Sequence, residues 1–381
     1  MENKNYIPMS FLLDNIHLLD EKKPQTTNKI EYVTKYVENW LYVVTNVDQN
    51  KNINFVDCMC NAGIYTDGEK GTAIKVLELF NEFAWKHTDK TFNLILNDIN
   101  LERLNVITTI IYEHIGINAP NIQVITRNMD VNDFLSDLQF INQYFSCYPK
   151  RSANLVFVDP YNFCTVKVSL LEKLLSKFYC ELLFNIFTND YVRNKNTEKM
   201  KKFCEEEKIP SASKYEMIRH IANQLKVGSV KYSFAYEFKT VTNAEIYQIM
   251  FFTPSVRGLE KLKDALWDTF GGKEFYRNPN ETDAGQMEFL SEAEAKTMLI
   301  EKYAFEAKEL LLDILDPMNE TNYITIESYI IENTMLQSGQ VLNYVLKPLI
   351  KEGKIRKLGQ VARSNNYKDD KYVIGVLKNE N

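Results

Sequence analysis

The chain has no Cys-x-x-Cys pair and only four histidines in 381 residues, so it offers little from which to build a zinc site. Its six cysteines stand at Cys58, Cys60, Cys147, Cys164, Cys180 and Cys204, and the spacing of Cys58 and Cys60 is not that of zinc ligands. They read as reduced, mostly buried thiols, and no metal is expected. Net positive charge is also missing: 45 Lys and Arg stand against 51 Asp and Glu, a formal balance of −6. That excludes nucleic-acid binding by the whole surface and leaves room only for a local basic patch. No apolar run reaches the length of a membrane span and the N-terminus is polar, so a soluble, cytoplasmic protein is expected. No Gly-x-Gly-x-x-Gly follows the first strand, which argues against a dinucleotide cofactor. No internal repeat or low-complexity segment is visible.

What is present is an alternation of apolar strands with helical patterns. Ile30, Val33, Val37, Trp40 and Leu41 recur at helical spacing over 27–46, with Thr27 or Asn28 as a cap. Strands are expected at 53–57, 92–96, 123–125, 155–158, 181–186 and 244–252. Helices are expected between them, at about 72–86, 101–115, 131–145 and 168–178, and again at 258–270. This order predicts an α/β fold, Rossmann-like, with a doubly wound and mostly parallel sheet. Residues 1–50 form a helical lead-in, 51–270 the sheet domain, and 192–228 a charged helical insertion or cap over the site. Gly271-Gly272 and the polar run to Gly285 mark a boundary. Beyond it, 286–381 reads as three helices (about 291–315, 324–333 and 338–352) and two strands (354–358 and 372–377), the plan of a winged helix-turn-helix.

Two strand-end motifs carry the chemistry. The first strand ends in Asp57 and breaks into Cys60-Asn61-Ala62-Gly63, with Tyr65 two residues on. A tight turn there lets backbone N–H groups approach an anionic or zwitterionic ligand. Asp98 ends the second strand, where an acid accepts from ribose hydroxyls, and Asp130 follows the third, within reach of an adenine amine. Asp159-Pro160-Tyr161 ends the fourth. Proline stops the strand, the carboxylate can accept from an exocyclic amine, and the tyrosine can stack on a base. An amine conjugated with its ring needs orienting more than it needs a strong base, so adenine methylation fits best. Four acids at four successive strand ends point to an S-adenosylmethionine site. Each also has a plainer role, since strand-end Asp residues cap helices and turns. Asn189, Asp190 and Arg193 follow the fifth strand and either grip substrate or start a helix.

With these residues in hand, the chain resembles the three-Cys-motif partner protein family. These are class I S-adenosylmethionine-dependent methyltransferases that travel with a three-cysteine-motif protein. The similarity rests on Tyr36, Val37 and Trp40, on Val56-Asp57 through Gly63 and Tyr65, and on Gly71-Thr72-Ala73. It continues through Asp159-Pro160-Tyr161-Asn162, through Asn185, Asn189, Asp190 and Arg193, and through Tyr247, Ile249, Phe251, Phe252-Thr253 and Gly258-Leu259. Asn61 stands for the family's first loop glycine and Asn162 for the glycine after Asp-Pro-aromatic; asparagine tolerates positive φ better than most residues. The resemblance implies a methyltransferase with a C-terminal winged helix and a protein partner. The six cysteines of this chain are not the partner's motif.

The C-terminal part is locally basic. From 347 to 371, Lys347, Lys351, Lys354, Arg356, Lys357, Arg363, Lys368 and Lys371 face only Glu352, Asp369 and Asp370, a local sum of 8 − 3 = +5. A helix and basic wing of this kind suit phosphate contacts of DNA or RNA, or a protein partner. The chain therefore reads as a methyltransferase acting on nucleic acid. The alternative is a catalytically decayed methyltransferase fold that binds nucleic acid or a partner.

Overall fold

A computed structural model describes residues 7–145, 152–210, 213–279, 291–314, 320–358 and 371–374. Cys147, Arg363, Lys368, Asp369 and Asp370, and the run from 280 to 285, lie outside the described residues. By its contacts the chain divides into Met1–Gly258 with Phe275–Pro279, and Leu259–Glu274 with Asn280–Asn381.

The first unit begins with a short helix α1 (Met9–Asp14) and the long helix α2 (Pro24–Val44). It continues through β1 (Asn52–Asp57), α3 (Thr72–Ala84), β2 (Thr91–Asn97), α4 (Leu101–Thr109) and β3 (Ile122–Arg127). Then come α5 (Val131–Ser136), α6 (Leu138–Tyr144), β4 (Ser152–Val158), α7 (Val168–Lys177) and β5 (Glu181–Ile186). Three helices follow, α8 (Thr188–Asn194), α9 (Glu198–Glu206) and α10 (Lys214–Leu225), before β6 (Tyr232–Lys239) and β7 (Glu245–Thr253). Helix α11 (Val256–Phe270) leaves the sheet, and β8 (Phe275–Arg277) returns to its edge.

The sheet order is β3-β2-β1-β4-β5-β7-β6-β8. Strands β3 to β5 pair in parallel, and only β7 runs against the rest. Strand β4 is buried along its whole length and β1 along all but its first residue, because helices cover both faces. A buried asparagine ladder crosses the centre. Asn93 Nδ2 donates to Asn54 Oδ1 (2.7 Å), Asn54 Nδ2 to Asn154 Oδ1 (2.6 Å), and Asn154 Nδ2 to the Tyr179 carbonyl (2.8 Å). A one-residue slip would break these bonds in an apolar setting, so the ladder fixes the register of β2, β1 and β4.

Three expectations are corrected in detail, and one strand is added. Helix α2 starts at Pro24, with no cap at Thr27 or Asn28, because proline is suited to the first helical position. The helix expected at 131–145 breaks at Asp137, whose side chain caps α6 through the Phe140 N–H and pairs with Arg127 at 2.9 Å. The segment 192–228 is helical, but its Met200, Phe203, Met217, Ile221 and Leu225 join the core around α5 and α7. Strand β6 was not expected, although its Tyr232, Phe234, Tyr236 and Phe238 alternate with Ser233, Ala235, Glu237 and Lys239.

The second unit holds α12 (Glu292–Ile314), β9 (Thr321–Asn322) and α13 (Tyr323–Asn333). A helical run over 338–351 follows, π-type at Val341–Leu346, and then β10 (Ile355–Leu358) and β11 (Lys371–Ile374). Its sheet is antiparallel, in the order β10-β11-β9. The part of α11 in this unit is anchored by polar bonds. Buried Lys263 donates to the Thr334 carbonyl, and Trp267 Nε1 to the Met335 carbonyl, both at 2.7 Å. Burial holds the Lys263 ammonium well below its ordinary proton affinity.

Candidate functional site

Strands β1 and β4 are neighbours whose chain connections run to opposite sides, so the sheet reverses its winding between them. Ligands of open α/β sheets bind at such a point, beyond the carboxyl ends of the strands. A cavity of about 470 Å³ lies there. It is lined by Asp57, Asn61, Gly63 and Tyr65 from the first motif and by Asp159, Pro160 and Tyr161 from the second. Two motifs a hundred residues apart thus meet on one cavity.

The first loop is held tightly, from within and by the end of β2. The Met59 N–H donates to Asp57 Oδ1 (3.2 Å), the Cys60 N–H to the Asn97 carbonyl (2.9 Å), and the Asn61 N–H to Asp98 Oδ2 (2.9 Å). The Ala62 N–H donates to Asn61 Oδ1 (2.7 Å). These four N–H groups are taken by the first motif and by the end of β2, which differs from the expected open cradle of donors. Asn61 sits at φ +57°, where asparagine is the best tolerated residue after glycine. Gly63 sits at φ +70°, and a Cβ there would lie 2.6 Å from buried Ile107.

Asp57 is 3% exposed at the floor of the cavity. Burial pushes its carboxyl up to about 7, and the charges of Asp159 and Asp98 add to this; the Met59 N–H and Lys29 oppose it. Burial also pushes the Cys58 and Cys60 thiols well above their ordinary range, which makes them inert rather than nucleophilic.

Asp159 is fully engaged. Its Oδ2 accepts from Lys29 Nζ of α2, and its Oδ1 from Asn185 Nδ2 of β5 at 2.6 Å. Lys29 is buried, lines the cavity, and stands 5.5 Å from the centre of the Tyr247 ring. The Tyr161 ring is 54% exposed, and its hydroxyl accepts from Arg103 Nη1 at 2.9 Å. Arg103 also pairs with Asp20 at 3.0 Å, and Asn61 Nδ2 donates to the same carboxylate. Asp20 thereby ties the N-terminal segment to both motifs.

Other expected residues lie elsewhere. Asp98 is buried just behind the loop, its carboxylate taken by the Asn61 and Asn100 N–H groups, and it does not line the cavity. Asp130 caps α5 through the Asn132 N–H (2.8 Å), the plainer of its two expected roles. Asp190 accepts from the Phe163 N–H (3.0 Å) and from Asn194 (2.6 Å), bracing the chain after Tyr161. Neither it, Asn189 nor Arg193 lines the cavity, and nor does any residue of 192–228 expected as a cap. Lys347, Lys351, Lys354, Arg356 and Lys357 are exposed on the second unit.

Sequence reasoning did not single out Lys29, Asp20 or Arg103. Lys29 had a visible signal: it shares the buried stripe of α2 with Val33, Tyr36, Val37 and Trp40, where an unpaired cation would be costly. Among the described residues no group of three or more His, Cys, Asp and Glu is placed to hold a metal ion. No helix among them is long and apolar enough to cross a membrane.

No family model matches the chain. No curated protein matches it either. Among solved structures it is similar to an O-methyltransferase from Bacillus cereus in complex with SAH, at 12% identity over 65% of this chain and 92% of that one, with a TM-score of 0.37. A putative O-methyltransferase from Klebsiella pneumoniae gives 12% identity, 66% and 94% coverage, and a TM-score of 0.35. A SAM-dependent methyltransferase from Methanosarcina mazei gives 11%, 54% and 94%, and 0.28.

Proposed function

We propose that this chain is a class I S-adenosylmethionine-dependent methyltransferase that methylates an exocyclic base amine of DNA or RNA, adenine favoured. The observation that carries the reading is the acid-lined cavity at the β1/β4 reversal. Asp20, Glu21, Asp57 and Asp159 line it against Lys23 and Lys29, four carboxylates to two ammoniums. Its volume lies within the roughly 300–1,000 Å³ typical of small-molecule sites. S-adenosylmethionine carries a sulfonium and an ammonium against one carboxylate, and a net cation suits this lining. Buried Asp57 has its charge opposed by desolvation, so a bound ammonium is the partner it lacks.

When bound, the cofactor supplies a methyl group on a sulfonium. Asp57 would hold the ammonium, and the loop from Asn61 to Tyr65 would border the methionine end. Asp98 keeps that loop in shape. Asp159 would accept from the target amine and turn its lone pair toward the methyl, with Asn185 fixing the carboxylate plane. Tyr161 would stack on the base once Arg103 yields its hydroxyl. A base from a duplex would enter flipped out. The second unit would act as a winged helix built on α13, the helical run over 338–351 and the antiparallel pair β10/β11, with Lys347, Lys351, Lys354, Arg356 and Lys357 meeting phosphates. The family resemblance adds a three-cysteine-motif protein as partner.

The test is transfer of labelled methyl from S-adenosylmethionine to DNA and RNA oligonucleotides with and without adenine, for the wild type and Asp159→Asn. Label in adenine-containing strands, lost in the variant, is the expected result. Label in none of them, from a protein that binds the cofactor product, would remove base amines as the target. The same outcome would favour the alternative of a binding module on a decayed fold, which the engagement of Asp159 by Lys29 also favours.

A further inference from the structure

Lys29 occupies the place that the methyltransferase reading reserves for the substrate. Its Nζ donates to Asp159 Oδ2, beside an aromatic face, inside the cavity that would hold the cofactor. An amine at that carboxylate is what the site is built to orient. The other lysine lining the cavity, Lys23, is exposed on its rim. We infer that Lys29 is itself a methyl acceptor, modified at Nζ by the cofactor bound in the same cavity. This rests on the methyltransferase reading and extends it to a residue of the chain.

The geometry favours delivery of this amine. Lys29 projects from a helix whose Ile30, Val33, Tyr36 and Val37 are buried, so its backbone is fixed. The reacting amine is intramolecular and needs no encounter step. Lysine carries its amine on a flexible four-carbon stem. The step balances. The ammonium proton passes along the existing hydrogen bond to Asp159 Oδ2 and then to water through the cavity mouth. The freed lone pair on Nζ forms the N–CH₃ bond as the S–CH₃ bond breaks. That bonding pair stays on sulfur, leaving S-adenosylhomocysteine. The product is still a cation, so its pairing with Asp159 and its contact with the Tyr247 ring persist.

The experiment incubates the full chain with S-adenosylmethionine, maps its peptides by mass spectrometry, and measures S-adenosylhomocysteine binding by calorimetry on the same preparation. The expected result is a gain of about 14 Da on the peptide holding Lys29. It should be absent from Lys29→Arg, which keeps the charge and the ion pair, and from Asp159→Asn. The as-purified protein should carry part of the same modification. Binding without any modification of Lys29 would overturn the inference and leave the methyltransferase reading in place. Modification of Lys22 or Lys23 instead would overturn it equally. No binding to the wild type would bring down both.

Discussion

Replacing Asp57 with asparagine tests the electrostatics of the cavity floor. Asparagine keeps an oxygen for the Met59 N–H and removes the buried charge. In the native chain Asp57 holds its proton up to about pH 7, whereas the unfolded chain releases it near 3.8. Below 3.8 both states are protonated and the residue carries no penalty. Between the two values the native state binds more protons, so stability falls as pH rises. Above about 7 both states are ionised and the penalty is complete. At ~1.4 kcal/mol per tenfold change in proton affinity, the whole step is worth about 4 kcal/mol. Most of it, about 3 kcal/mol, falls between pH 5 and pH 8. The Asn variant should therefore gain on the wild type by that amount over this range. Urea unfolding followed by tryptophan fluorescence reads it, since Trp40 and Trp85 both lie in the first unit. A gain that does not change with pH, or a loss of stability at pH 8, would refute the reasoning.

Two further outcomes follow. Gly63→Ala should cost about 2–4 kcal/mol, combining positive φ with a Cβ driven onto Ile107. Gly271→Ala, at φ +62° with nothing within 4 Å, should cost only about 1–2 kcal/mol, and parallel urea melts of the two variants check the ordering. If the basic face of the second unit meets phosphates, replacing Lys347, Lys351 and Arg356 with alanine should lower the slope of log affinity against log salt by about 2–3. Fluorescence anisotropy on a labelled duplex measures it, and an unchanged slope would mean that these side chains face no phosphate.

Much of the frame was legible because strand ends are abrupt. Phe55-Val56-Asp57 and Phe157-Val158-Asp159 pass from apolar to acidic in one step, and both acids reach the same cavity. What local pattern does not encode is the fate of a strand-end acid. Asp98 and Asp130 follow strand ends as Asp57 and Asp159 do, yet the turns after them aim their carboxylates at nearby N–H groups. The reversal of β7 was hidden because alternation reads the same in either direction, whereas β6 does carry a strand signal in Tyr232, Phe234, Tyr236 and Phe238. The ties from Lys29 to Asp159 and from Asp20 to Asn61 span 130 and 41 residues, and only the assembled sheet brings them together.

The most direct test of the central claim is calorimetric titration of S-adenosylhomocysteine into the wild-type chain and Asp57→Asn at pH 8. The cofactor reading predicts saturable, micromolar binding that weakens roughly 10- to 100-fold in the variant, the worth of one hydrogen bond to a charged group. Absence of binding at millimolar ligand, or equal affinity in the two proteins, would contradict it.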